Sequence, residues 1–261
     1  MNASKFFLKA ANSLVTAIVA LFLILAAAYS GYALWDNAQV YGAVDDIQSQ
    51  LLKLKPDPEQ KDGGTSFEEL RKINPDVCGW ITLDHTKIDY PILQGEDNLT
   101  YINTDVYGDF ALSGSIFLDS GCDRNFRGKY SLLYGHHMAE HKMFGDLDLY
   151  RKKKFFNKNT TGTLILPDRS CKLEIFACMQ VSASEDSIFA TGKWQGGHQR
   201  ACGFCQKECR KYPSENHGSD WKVRRFFPDT GNVNLLFGIY RCKNSSSGGN
   251  ETLFAGDVRR G

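Results

Sequence analysis

Apolar positions fall along this chain in three successive patterns. From Ser13 to Leu34, "SLVTAIVALFLILAAAYSGYAL" runs 22 residues without a charge. About 20 apolar residues suffice to cross a hydrocarbon core as a helix, which predicts a membrane-spanning segment over 13–34. Beyond it the apolar residues thin to Val40, Val44, Ile47, Leu51 and Leu54 at helical spacing, predicting an amphipathic stalk. "KPDPEQKDGG", with two prolines and two glycines, then breaks the helical pattern as a linker.

The third pattern is short and dense. "CGWITL", "KIDYPIL", "SGSIFLD", "KYSLLYG", "GTLILP", "CKLEIFACMQV" and "NVNLLFGIYRC" are runs rich in β-branched and aromatic residues, bounded by Gly, Pro, Asn and Asp. Such runs with few helical insertions predict a mainly β barrel or sandwich. Ser66 and Glu69 read as a capping box opening "FEELRKI", which Asn74-Pro75 ends. Two further helices are expected at "DNLTYINTD" and "MFGDLDLYRKKKFFNKN", and 184–228 reads as a long polar insertion, partly helical.

Charge changes the picture in two ways. Lysine and arginine total 31 against 30 acids, which gives no electrostatic footprint for nucleic acid. Lys5 and Lys9 precede the apolar stretch while Asp36, Asp45 and Asp46 follow it, leaving the N-terminus in the cytoplasm. The stretch exceeds the roughly 7–15 residues of a signal-peptide core, which favours an uncleaved anchor over a cleaved leader. The expected organisation is a cytoplasmic terminus over 1–12, an anchor over 13–34, a stalk and linker over 35–65, and an extracellular domain over 66–261.

Candidate chemistry centres on "YGHHM", residues 134–138. An unperturbed imidazole titrates near neutral pH, so His136 or His137 is a candidate acid–base group; the alternative is a surface turn. Nucleophilic cysteine chemistry needs a thiolate and an imidazole close in space rather than in sequence. Cys242 ends the run "NLLFGIY", and two strand ends meeting on one barrel rim would set His136 and Cys242 over a shared groove.

Several motifs in order make a resemblance specific. "INPDVCGWITLDHTKIDYPILQGEDNLTYINTD", "SGSIFLD" and "LLYGHHMAEHKMFGDLDLYRKKKFF" resemble the first strands, the histidine strand and the following helix of class B sortases. The likeness runs from about Phe67 to Phe156 and resumes at the strand ending in Cys242. It implies an eight-stranded β-barrel preceded by one transmembrane helix, on the outer face of a Gram-positive cell membrane. The implied activity is that of a cysteine transpeptidase that cuts a C-terminal sorting signal after threonine. The acyl group would pass to an amine of cell-wall precursor or pilin, with no cofactor. By the same resemblance His136 takes the catalytic histidine position, His137 replaces the usual asparagine with no assigned chemistry, and Cys242 takes the nucleophile position. Asn98 and Ile102, four apart in "DNLTYI" and on one face of a helix, match positions that line the peptide groove. Tyr240, two before Cys242, is expected to line it too, whereas Ile102 has the alternative of being core.

Two departures stand out. The family's strand reads Thr-Leu-x-Thr-Cys where this chain has Gly238-Ile239-Tyr240-Arg241-Cys242. The family's arginine on the following strand falls here at Glu251 or Thr252. A missing oxyanion donor costs about 100- to 1000-fold in rate, so a degenerate sortase that binds sorting peptides without efficient cleavage is the alternative function. Arg241 is a substitute oxyanion donor if a bulge in its strand re-aims it, since neighbours on a strand otherwise alternate faces. Arg224, Arg225, Arg259 and Arg260 are the other candidate cations, each with the alternative of a solvated surface charge. Finally, His198, Cys202, Cys205, Cys209 and His217 admit three readings: a zinc site, a disulfide with one thiol left over, or free thiols. No metal is expected at the catalytic site.

Overall fold

The computed structural model describes residues 3–59, 64–128, 130–182, 234–243 and 251–256. The chain falls into two compact units, Met1–Asp45 and Asp46–Gly261. Helix α1 runs unbroken from Ala3 to Leu52, so the apolar stretch and the stalk form one 50-residue helix. It is long and apolar enough to cross a membrane, with a mean hydropathy of 2.3 and none of its most apolar window buried.

In the second unit the mainly β expectation is met. Strands β1 (Val77–Leu83), β2 (Asp89–Leu93), β3 (Phe117–Leu118), β4 (Tyr130–Gly135), β5 (Thr161–Leu166), β6 (Arg169–Ser182), β7 (Asn234–Lys243) and β8 (Glu251–Gly256) form one sheet. Its order is β1-β2-β3-β4-β8-β7-β6-β5, and β5 returns to pair with β1, closing a barrel. The pairings β2–β3 and β4–β8 are parallel and the others antiparallel. Each of the seven apolar runs supplies a strand, while β8, "ETLFAG", is not among them.

The core explains why those runs are strands. Trp80, Leu93, Phe117 and Ile165 from four strands meet Leu51, Phe67, Leu70, Tyr101 and Val106, all nearly inaccessible to water. Burying one such side chain stabilises the fold by about 1.5–3 kcal/mol. Helix α2 (Gly64–Ile73) closes part of this core through Phe67 and Leu70. It begins two residues before Ser66, which therefore sits inside the first turn rather than capping it. Its end is the expected one: Asn74 Oδ1 accepts the Asp76 N–H at 2.9 Å and its Nδ2 donates to the Val106 carbonyl at 3.0 Å.

Two helix expectations are corrected. "DNLTYINTD" forms bends and turns, because its carbonyls are taken elsewhere: Tyr101 O by Ser115 N–H at 3.1 Å and Asn103 O by Ala111 N–H at 3.0 Å. The stretch after His137 forms a 3₁₀ helix, Gly145–Arg151, and a single α-turn, α3 (Lys153–Phe156), rather than one continuous helix. The insertion over 184–228, with Cys202, Cys205, Cys209, Arg224 and Arg225, lies outside the described residues, as do Arg259 and Arg260.

Candidate active site

Strand β4 delivers His136 to a fixed place. Gly135, its last residue, has no room for a side chain: a Cβ there would lie 2.3 Å from Ile116 Cδ1 and 2.9 Å from Phe144 Cδ2. The chain therefore leaves the barrel against the core, and the His136 carbonyl accepts the Phe144 N–H at 2.9 Å. The half-buried His136 ring turns toward the segment before β3, where Nε2 lies 2.7 Å from the Ile102 carbonyl oxygen. A carbonyl only accepts, so Nε2 carries a proton and, in the neutral ring, the lone pair is at Nδ1.

Asn98 and Ile102 both reach this region, though not as two faces of a helix. Ile102 contributes its main-chain oxygen to His136, and its half-buried side chain packs beside the core cluster. Asn98 is a structural bridge: Nδ2 donates to Asp119 Oδ2 at 2.8 Å and Oδ1 accepts the Ser120 N–H at 2.7 Å. Tyr134 donates to the same Asp119 oxygen at 2.9 Å. Asp119 is 5% exposed, so this carboxylate is kept in the fold by the donors around it. Burial and the nearby Asp119 charge push the Tyr134 phenol up, so it stays a donor at neutral pH. Asp119 and Tyr134 escaped the sequence reading. The available signal was alternation, since Tyr134 on β4 precedes His136 by two residues.

Cys242 is placed differently from the expectation. Strand β4 runs parallel to β8, and β8 runs antiparallel to β7, so the C-terminal ends of β4 and β7 point opposite ways. Gly135 pairs with Gly256, which pairs with Leu236, and Cys242 lies six residues further along β7. At about 3.3 Å per residue that is roughly 20 Å along the sheet. The shared rim expected for His136 and Cys242 is not formed in this register. Cys242 instead pairs with Leu173 of β6, and Tyr240 pairs with Ile175 of β6 and Thr252 of β8.

Arg241 pairs with Glu174 of β6 and Glu251 of β8. The bulge that would re-aim it is absent from β7, whose register with β8 is continuous from Leu236 to Arg241. The irregularity falls on β6, between Ile175 and Ala177.

The remaining described cysteines are unsuited to attack. Cys78, Cys171 and Cys178 are buried. Burial pushes the thiols of Cys78, Cys122 and Cys178 up to about 12, which leaves almost no thiolate at neutral pH.

The mainly β barrel, with His136 held just beyond its fourth strand, has the fold of solved sortases. Sortase B from Bacillus anthracis matches with a TM-score of 0.56 at 22% identity, over 83% of this chain and 97% of that one. A Streptococcus pyogenes class B sortase involved in pilus biogenesis matches at 36% identity with a TM-score of 0.51, over 72% of this chain and 95% of that one. The chain belongs to the class B sortases. Sortase B of Staphylococcus aureus is 31% identical over 139 residues, and sortase B of Listeria monocytogenes is 32% identical over 156. These alignments span 53% and 58% of this chain but only 57% and 62% of those relatives. No family model matches the chain.

Proposed function

We propose that this chain is a membrane-anchored cysteine transpeptidase, with 13–34 as its anchor and an eight-stranded sortase barrel within 66–261 as its extracellular catalytic domain. The observation that carries the reading is the 36% identity with a class B sortase across 95% of that crystallised chain. A cysteine thiolate attacks the carbonyl after threonine in a sorting signal, and His136 gives a proton to the leaving amine. The resulting thioester is opened by an amine of cell-wall precursor or pilin, whose proton returns to the imidazole. A structure of Staphylococcus aureus sortase B with its substrate, and one of a sortase B with triglycine, support both partner classes.

Cys242 is the proposed nucleophile, supported by the resemblance and by the burial of Cys78, Cys171 and Cys178. Arg241 is the proposed oxyanion donor, Tyr240 a proposed groove residue, and Asn98 and Ile102 a proposed groove wall. The test uses the full chain in detergent with quenched peptides carrying threonine before the scissile bond, with and without a triglycine acceptor. Cleavage, an amine-dependent product and a trapped acyl-enzyme at Cys242 are expected. Cleavage that persists in Cys242→Ala overturns the nucleophile assignment.

A second reading has its own observation. The register separates Cys242 from His136 and sets Glu251 opposite Arg241, which favours a degenerate sortase that holds sorting peptides without cutting them. Peptide binding with no acyl-enzyme in any cysteine background selects this reading.

A further inference from the structure

His137, given no chemistry by the resemblance, is gripped on its ring. Its Nε2 lies 2.7 Å from Asp148 Oδ2 on the 3₁₀ helix, and its side chain is 19% exposed. The hydrogen bond from His137 holds the Asp148 carboxyl below the usual carboxylate range, so the partner is an anion at neutral pH. His137 also pairs through its backbone with Met143, forming an isolated antiparallel bridge. Four residues on, His141 Nδ1 meets Asp146 Oδ1 on the same 3₁₀ helix. Asp146 is 2% exposed, and its other oxygen accepts the Lys87 N–H at 2.6 Å from the β1–β2 turn. The loop that leaves His136 is therefore fastened to one helix by two imidazole–carboxylate pairs.

These pairs sit on a backbone that needs fastening. Glu140, His141 and Met143 all have positive φ, at 56°, 65° and 49°, a region that non-glycine residues seldom occupy. Such backbone persists only where its surroundings over-determine it. The Met143 N–H donating to Tyr90 Oη at 3.0 Å and the Phe144 N–H donating to His136 O at 2.9 Å complete the frame.

The geometry points to His137 and Asp148 as positioning residues: their pair locks the 136–144 loop and so sets the His136 imidazole against the Ile102 carbonyl. Arg151, whose Nη1 is 3.5 Å from Asp148 Oδ1, supports the carboxylate from its far side. The catalytic consequence rests on His136 being the acid–base group, whereas the mechanical one does not. A misplaced catalytic group loses rate because the near-attack geometry becomes less populated.

The experiment pairs an activity readout with a ring readout on the full chain in detergent. In ¹⁵N-histidine-labelled protein, His137→Ala is expected to shift and broaden the His136 Nε2–H signal, and Asp148→Ala to do the same. In the quenched-peptide assay both variants are expected to lower kcat about ten-fold with KM within two-fold. The double variant should be no worse than either single one, as for two ends of one contact. His137→Gln, which keeps a side-chain N–H donor to Asp148, is expected to restore both readouts. An unchanged His136 signal in His137→Ala overturns the proposal, and so does a lack of rescue by Gln. Full cleavage by His136→Ala instead overturns the acid–base reading, and the ring signal then still judges the latch.

Discussion

His136 is held by the main chain of a segment 34 residues earlier: its Nε2 lies 2.7 Å from the carbonyl oxygen of Ile102. The position of that carbonyl is set by Gly114, whose φ of +53° and missing side chain let the two strands of chain meet. A Cβ at 114 would fall 2.2 Å from Ile102 O and 2.6 Å from Tyr101 O. Gly114→Ala is therefore expected to cost about 1–3 kcal/mol of stability. It should also move the His136 Nε2–H signal, as thermal melting and NMR would record. A variant with parent stability and an unmoved ring would show that the loop yields freely.

Asn98→Ala is expected to act on stability as well as on peptide binding. It removes the 2.8 Å donor to Asp119 and the 2.7 Å acceptor for Ser120 N–H, leaving a buried carboxylate short of a partner. Such a loss costs about 1–3 kcal/mol. Tyr134→Phe removes a second donor to the same oxygen and should destabilise by a similar amount. Because both bonds share Asp119, the double variant should depart from the sum of the two losses, and chemical denaturation of the four proteins measures that coupling. Simple additivity would show that the two donors act independently.

Alkylation sorts the cysteines. Cys78, Cys171 and Cys178 are buried, and the thiols of Cys78 and Cys178 are raised to about 12. Under native conditions at about pH 8 these three should remain unlabelled by iodoacetamide for hours, while denaturation exposes them. Peptide mapping by mass spectrometry identifies which thiol reacts first. Early labelling at Cys242 supports its assignment as nucleophile, and early labelling at Cys202, Cys205 or Cys209 moves that assignment into the insertion.

Arg241→Ala separates two roles. If Arg241 serves only as a strand position in register with Glu174 of β6 and Glu251 of β8, its loss is of the size of one cross-strand neighbour, about 0.2–1 kcal/mol. The cleavage rate then stays within about three-fold of the parent. A loss of about 100-fold at unchanged stability is instead the size expected of an oxyanion donor.

Acid should weaken the Asp148 contact in a defined window. The folded carboxyl titrates below its unfolded value of about 4, so the unfolded state binds more protons between the two. The contribution of Asp148 is present above about pH 4 and disappears as pH falls through the lower folded value. Asp148→Asn should remove that part of the acid dependence, read as denaturation midpoints between about pH 2.5 and 5. An unaltered acid limb would place the dependence on other carboxylates.

Local pattern determined much of this molecule. An uncharged, apolar run of 22 residues has the length and composition of a membrane-crossing helix, and seven β-rich runs satisfy their backbone groups by pairing, so the anchor-length helix and mainly β class were legible at once. The motifs around His136 carried the family, because they are contiguous in sequence. Tertiary structure decided what depends on partners far along the chain. "DNLTYINTD" has helical spacing, yet Ser115, Ala111 and His136 take its carbonyls, and those partners lie beyond any local window. The relation of His136 to Cys242 turned on strand direction. A strand's own residues do not encode whether its neighbour runs parallel or antiparallel, and the insertion of β8 between β4 and β7 sets their C-terminal ends at opposite levels of the barrel.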